Sequence, residues 1–428
     1  MADVFDFDVA IVGGGPGGSA AAASLARRGH SVLVLERAQF PRFHIGESQL
    51  PWINGILNEI GAADAVASVG FVQKWGASFM SDDSDTERYA DFSRAYEVPQ
   101  PQTYQVPRDR FDQVLLEHAA ASGAVVKQGC QATQAAFDAE GVTLTFTGAD
   151  AAPATVRVRA AIDASGRHGF LARKFGQRRA DPRLRNIAVH RQYTGVPRLE
   201  GRRAGDIRII TRPDGGWFWL IPISEAVMSV GVVMPKEAYH AVAGATPDET
   251  LDAVIASSPN ALRLLARSQA VTTAHFEADY SYLHSCQAGD RFVLVGDAGA
   301  FLDPIFSTGV LLAMQSGVEA AEAISQGLRA GDLRAHRFKA FERRVVRRYQ
   351  YFRRFAVGFY DPAFRDLFLS PSSRFGIFEA LLSVLAGNWR PSLGTRSRLW
   401  LFFVLVAVQR AIPLAPRHLR PRLVDDVR

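Results

Sequence analysis

Three short stretches of the chain carry residue types whose spacing suits chemistry. Gly13, Gly15 and Gly18 fill G-x-G-x-x-G between an apolar run, Val9 to Val12, and a helix-favouring run, Ala20 to Leu25. In that place the first glycine permits a tight turn and the second lets a pyrophosphate approach the backbone, while the third brings helix and strand together. Glu36 ends the next apolar run, Val32 to Leu35, where a carboxylate binds ribose hydroxyls. The pattern predicts a dinucleotide seated on the positive end of a helix. In DPIFSTGV, residues 303–310, two hydroxyl side chains and a glycine lead into an apolar helix. Ser307 or Thr308 can cap that helix, or its free N–H groups can hold an anion; the residues alone leave both open. The third stretch is FVQKWGASFM, where Lys74 stands among apolar and aromatic neighbours. A lone lysine is ordinarily a solvated surface charge, but burial would weaken its hold on the proton by disfavouring the charged form.

The elements that must position these groups are ordinary ones. The opening reads as strand, glycine turn, helix and strand, and Gly29 suits the C-terminal end of the helix. With 428 residues, 48% hydrophobic and 21% charged, the chain suits a globular protein of two or three lobes. Cys130 and Cys286 match no metal-ligand spacing, so no metal is expected and the pair reads as thiols in a reducing cytoplasm. The start, MADVFDFDVA, lacks a basic segment and predicts no secretory signal. Residues 331–428 hold 19 Arg or Lys against 7 Asp or Glu. Such a tail attracts nucleic acid, an acidic carrier protein or an anionic membrane surface. No aromatic-and-basic module supports the first, so no nucleic-acid partner is expected. The stretch HRFKAFERRVVRRYQYFRRF has apolar positions at helical spacing with arginines between. The ten apolar residues Leu399–Val408 fall short of the roughly 20 that span a bilayer. They read as a buried helix or, with flanking arginines, as a peripheral contact at the inner face of a membrane.

Two further pieces specify the dinucleotide. AAIDASGRHGF (160–170) and DRFVLVGDAGAFLDP (290–304), whose strand ends in Gly296–Asp297, resemble the FAD-binding family of the aromatic hydroxylase superfamily. The resemblance implies an α/β fold: a Rossmann-like FAD-binding domain, an antiparallel β-sheet substrate domain and a helical C-terminal region. It divides the chain into FAD-binding segments 1–75, 105–185 and 280–330, substrate-sheet segments 76–104 and 186–279, and a C-terminal region 331–428. It implies FAD contacts from Gly13, Gly15, Gly18, Glu36, Arg42, Ser48, Arg110, Asp163, Gly296 and Asp297, the last on the ribityl chain. With no second G-x-G-x-x-G, no dedicated nicotinamide domain is expected.

Local patterns narrow the family. FPRFHIGESQLP (40–51) resembles a stretch shared by flavin-dependent halogenases and geranylgeranyl reductases, and WFWLIP (217–222) matches the W-x-W-x-I-P pattern of the halogenases. Strand alternation puts Trp217 and Trp219 on one face and Phe218 on the other. Bulky rings there would keep organic substrate from the flavin while admitting a small ion; the bland alternative is an aromatic core stripe. Flanked by Phe71, Trp75, Gly76 and Phe79, Lys74 resembles the catalytic lysine that meets hypohalous acid in phenol- and pyrrole-modifying halogenases. A neutral amine can take up chlorine or bromine, and an ammonium can donate a hydrogen bond to hypohalous acid. By the same resemblance Thr308 and Gly309 bind the halide, chloride or bromide. Tryptophan halogenases carry a glutamate directly before this Ser-Thr-Gly; here Phe306 takes its place and is expected, with Trp217 and Trp219, in the wall of the site. That departure implies an electron-rich phenol or pyrrole rather than tryptophan. The implied enzyme uses reduced FAD from a separate flavin reductase or from free solution. With oxygen and halide it makes hypohalous acid for an aromatic small molecule, free or on an acyl carrier protein. A flavin monooxygenase or geranylgeranyl-reductase-like enzyme, and an FAD-binding protein without turnover, are the alternatives.

Overall fold

A computed structural model describes residues 5–82, 84, 87–148, 152–278, 281–370 and 374–416. Residues 1–4 of the acidic start and 417–428 of the basic tail therefore lie outside the described residues.

Four-residue apolar runs buried on both faces belong in a parallel sheet covered by helices, and strands from residues 7–163 with one from 292–294 form one. Strand Phe7–Val12 lies between Val32–Glu36 and Pro153–Asp163, with Val125–Gln128 outside the first and Phe292–Leu294 outside the last, all parallel. Gln131–Phe137 and Val142–Thr147 add an antiparallel ribbon to Pro153–Asp163. Helix Pro16–Ala26 leaves the glycine turn and packs on the long helix Gly309–Arg329. Their approach is close: a Cβ on Gly317 would stand 2.3 Å from the Gly17 carbonyl oxygen. Two helices that begin at different turns are thus locked side by side.

The second sheet runs Asn186–Thr194, Val227–Pro235, Trp217–Pro222, Ile207–Thr211, Gly76–Ser81 and Glu87–Asp91. It is antiparallel except where Ile207–Thr211 runs parallel to Gly76–Ser81, a pairing the sequence did not announce. Along Trp217–Pro222 every residue is buried, with Trp217 and Trp219 toward the main core and Phe218 toward a separate core under helices Pro247–Ala256 and Pro259–Leu265. The C-terminal region is helical, Lys339–Phe359, Pro362–Leu369, Ile377–Leu385 and Leu393–Ala411. The apolar run in the last helix is two-faced: Leu399, Phe402 and Val406 are buried, while Trp400 is 63% exposed. Among the described residues no helix is long and apolar enough to cross a membrane, and no cluster of His, Cys, Asp or Glu could hold a metal ion.

Candidate active site

Where the sheets meet, a cavity of about 460 Å³ opens at the C-terminal ends of the parallel strands. Both helix N-termini face it: Gly13, Gly15 and Gly17 from one turn, Ser307, Gly309 and Val310 from the other. The glycines divide the work as the motif requires. Gly13 adopts φ +107°, a left-handed-side conformation that favours glycine. A Cβ on Gly18 would lie 1.9 Å from the Gly13 carbonyl oxygen, so Gly18 serves helix–strand contact and not the cavity. A Cβ on Gly15 would meet only Arg42 Nη2, at 3.5 Å, which leaves open space where a pyrophosphate belongs.

Around this turn, Glu36 is buried and accepts hydrogen bonds from the N–H groups of Gly14 (2.7 Å) and Ala38 (2.8 Å). Each carboxylate oxygen keeps a lone pair for the cavity it lines. Arg42 lines the same space and pairs with Asp112 at 3.0 Å. Gly296, at φ +60°, presents Asp297 to the cavity. Enclosure pushes the Asp297 carboxyl up to about 6, against the pull of Arg108, Arg167 and Arg178. A helix-end cradle with room only where a pyrophosphate would lie, plus two acids for sugar and ribityl hydroxyls, fits a flavin dinucleotide.

Gly18 and Thr308, neither of which lines the cavity, are two departures from the expected contacts, and three more are corrected. Arg110 is exposed and bonds Gln113; the arginine at the cavity is Arg108. In helix Arg108–Ala121 a residue two positions on lies about 200° round the axis. Arg108 is buried, forks onto Asp112 at 2.7 and 2.9 Å and donates to the Ile45 carbonyl at 2.6 Å. The R-x-x-x-D spacing of Arg108 and Asp112 is the signal that would have found it. Asp163 does not face the cavity either. Its carboxylate accepts from Ser165 N and Oγ (3.0 and 2.5 Å), Leu171 N (2.6 Å) and Ala172 N (3.0 Å), organising the turn whose Arg167 does line it. Phe306 is the third. Pro304–Phe306 is one 3-10 turn, so positions three apart share a face. Pro304 and Ser307 therefore face the cavity, while Phe306 packs edge-on against Phe359 at 5.8 Å.

Ser307 takes the left-handed conformation (φ +54°), and Thr308 caps helix Gly309–Arg329 without any side-chain cap bond. Thr308 Oγ1 is buried with no hydrogen-bond partner. Capping of the helix by Ser307 or Thr308 side chains is thus not what this turn does; its first N–H groups have no intrahelical acceptor, and Ser307, Gly309 and Val310 line the cavity, whereas Thr308, expected at the halide, does not.

Lys74 is 1% exposed, which overturns the surface reading. Strand Val72–Lys74 pairs with Thr103–Gln105, Lys74 lying opposite Thr103. Its Nζ donates to Ser48 Oγ at 2.8 Å and the Gln49 carbonyl at 2.9 Å, and lies 5.3 Å from the Phe92 ring centre. Among the described residues no carboxylate pairs with it: Asp206, the nearest influence, is tied to Trp75 N, Gly76 N and Tyr89 OH. Burial lowers the amine to about 7. Ser48 lines the cavity and Lys74 stands directly behind it, one side chain from the flavin space. Beside the amine, Thr103 Oγ1 and Gln105 Oε1 are buried without partners. Sequence reasoning missed both, since nothing in a short polar strand announces that its hydroxyl and amide oxygen will lack donors.

Trp217 and Trp219 form the opposite wall, their ring centres 6.0 Å apart. His190 joins them, stacked with His275 at 5.3 Å, and burial lowers it to about 4, so it is neutral.

Residues 6–350 match the family described as FAD binding domain. A 1H-pyrrole-2-carbonyl-(peptidyl-carrier protein) chlorinase from Pseudomonas fluorescens is 34% identical over 358 residues, 79% of this chain and 80% of that one. Among solved structures, a flavoprotein/dehydrogenase from Cytophaga hutchinsonii superposes with a TM-score of 0.87 at 30% identity, covering 94% of this chain and 98% of the other. A triple mutant of a flavin-dependent brominase gives a TM-score of 0.81 at 30% identity, covering 93% and 100%.

Proposed function

We propose, for a chain that belongs to the flavin-dependent halogenases of the FAD-binding-domain family, that Lys74 delivers hypohalous acid to an electron-rich ring presented on a carrier protein. One observation carries this reading: a lysine amine buried with no carboxylate paired to it among the described residues, bonded to the serine that borders the cavity. Keeping such a group costs stability, so its retention argues for use. When bound, FAD supplies the redox chemistry that combines oxygen with halide; it is reduced by a separate reductase or taken up reduced.

The residues of the chain do the rest. The N–H groups after Ser307 hold the halide at the cavity edge formed by Ser307 and Gly309, with Thr308 Oγ1, buried behind that edge, as a further donor awaiting a partner. Trp217 and Trp219 keep the organic ring out of the cavity. Lys74, balanced near neutrality, meets the acid as amine or as hydrogen-bond donor, and the unpartnered Thr103 and Gln105 oxygens await a ring N–H, a ring O–H or water. Phe306, in the aromatic core, supplies no carboxylate to a weakly activated ring. Similarity to a pyrrolyl-carrier-protein chlorinase supports carrier presentation, as do the exposed Leu393 and Trp400 beside arginines of the last helix. The same strip would serve a peripheral membrane contact.

Two experiments test the reading. Incubated with a flavin reductase, FAD and either halide, the protein should halogenate a carrier-bound pyrrole or a phenol and leave tryptophan untouched. Oxygenated or reduced product formed equally well without halide would refute it, and sedimentation with anionic vesicles checks the membrane alternative. Thr308→Val removes one hydroxyl without changing shape. It should raise the halide KM by about ten-fold, the worth of one hydrogen bond to a charged group, with peroxide formation unchanged. An unaltered KM would remove Thr308 from the halide site.

A further inference from the structure

Tyr360, at the junction between helices Lys339–Phe359 and Pro362–Leu369, is a meeting point for three parts of the protein. Its hydroxyl accepts a hydrogen bond from Trp217 Nε1 at 2.9 Å. The same hydroxyl donates to Asp303, whose two carboxylate oxygens lie 3.0 and 2.9 Å away. Asp303 is 1% exposed and also accepts from Asn186 Nδ2 at 2.8 Å and from Ile305 N at 3.1 Å. Every one of these partners is a neutral donor. A buried carboxylate held only by neutral donors depends on each of them, because a lost donor leaves charge unsolvated.

The placement gives the chain of bonds its meaning. Asp303 immediately precedes Pro304 and caps the 3-10 turn that presents Ser307 and Gly309 to the cavity. Trp217 belongs to the wall formed by the second sheet, and Asn186 begins another strand of that sheet. Tyr360 comes from the C-terminal helices. Turn and wall, from different sheets, are therefore fastened to each other by a hydroxyl that neither of them carries.

We propose that Tyr360 and Asp303 are positioning residues that hold the 303–309 turn and the Trp217 indole as one unit, so that hypohalous acid formed at the turn reaches Lys74 rather than escaping. This rests on the reading of the turn as the halide site. Neither residue lines the cavity; they act through Trp217 and the turn.

Tyr360→Phe keeps the ring and leaves Trp217 Nε1 and Asp303 each one partner short. The measured quantity is the ratio of halogenated substrate to halogen captured by an added dione trap, with oxygen uptake and bound FAD followed alongside. The ratio should fall about ten-fold, the upper range for one hydrogen bond, with oxygen uptake and FAD content unchanged. Trp217→Phe deletes the same bond from the other side, and the double variant should be no worse than the more affected single one. A ratio unchanged in Tyr360→Phe, or a fall matched by equal loss of oxygen uptake, would overturn the proposal. Should Tyr360→Phe fail to fold, Asp303→Asn is read in the same way. The halide reading is judged separately by Thr308→Val: a raised halide KM there with no change in Tyr360→Phe leaves the halide site standing and removes only the positioning role.

Discussion

Lys74→Met is expected to abolish halogenated product, by at least about a thousand-fold if the amine contributes as other positioned acid–base groups do, while oxygen is still consumed and peroxide released. The amine is one side chain from the flavin space and has no second lysine to replace it: its strand partner is Thr103 and its hydrogen-bond partners are Ser48 and Gln49. Halogenation retained in this variant would remove Lys74 from the mechanism. Stability should move the other way. Burial lowers the amine from its ordinary 10.5 to about 7. Between those values the unfolded chain binds a proton that the folded protein does not, so wild-type stability rises with pH across that window. Below about 7 the full cost of the buried ammonium is present. Removing it should raise the melting temperature at pH 6 by several degrees, and the advantage should shrink as pH approaches 10. Thermal denaturation of both proteins across that range checks the sign. A gap that stays constant with pH would mean that burial does not depress the amine, and one that grows would mean that it is raised.

Gly18→Ala carries the second large effect. The added Cβ would lie 1.9 Å from the Gly13 carbonyl oxygen, a backbone atom that no rotamer change can move. Relief requires the first helix to lift off its strand, and that helix is itself interlocked with Gly309–Arg329 through Gly17 and Gly317. Strain of the order of 3 kcal/mol, the upper range for overpacking, should lower FAD affinity about 100-fold and drag the 303–309 turn with it. Gly15→Ala makes the control. There the Cβ has room in the protein itself, meeting only Arg42 Nη2, so the fold should persist while FAD binding weakens. Titration with FAD and a melting curve for each variant separate the two. Equal melting temperatures for Gly18→Ala and the wild type would contradict the packing role.

Much of this is legible in the chain itself. Local backbone demands are written locally: a glycine where φ is positive, an apolar run where a strand is buried, a two-residue alternation that faces Trp217 and Trp219 one way and Phe218 the other. Resemblance carried the reading from those elements to FAD, halide and Lys74, and the family comparison bears out the class of enzyme. The misses are of another kind. Arg110 and Arg108 differ by two helix positions, and only the docked helix shows which one turns inward. Asp163 and Phe306 sit in the expected turns but point the other way, since a carboxylate goes to its nearest N–H donors and a 3-10 turn repeats every three residues.

What the chain alone determined is therefore the inventory: a glycine turn between strand and helix, a lysine among aromatic residues, two indoles on one face of a strand, each encoded within a dozen neighbouring residues. Tertiary structure decided direction and distance. It buried Lys74 behind Ser48, and joined Asp303 to Trp217 through Tyr360, 57 residues further along. Hydrogen bonds between residues so far apart depend on how sheets and helices dock, and docking is a property of the whole packed core rather than of any one segment.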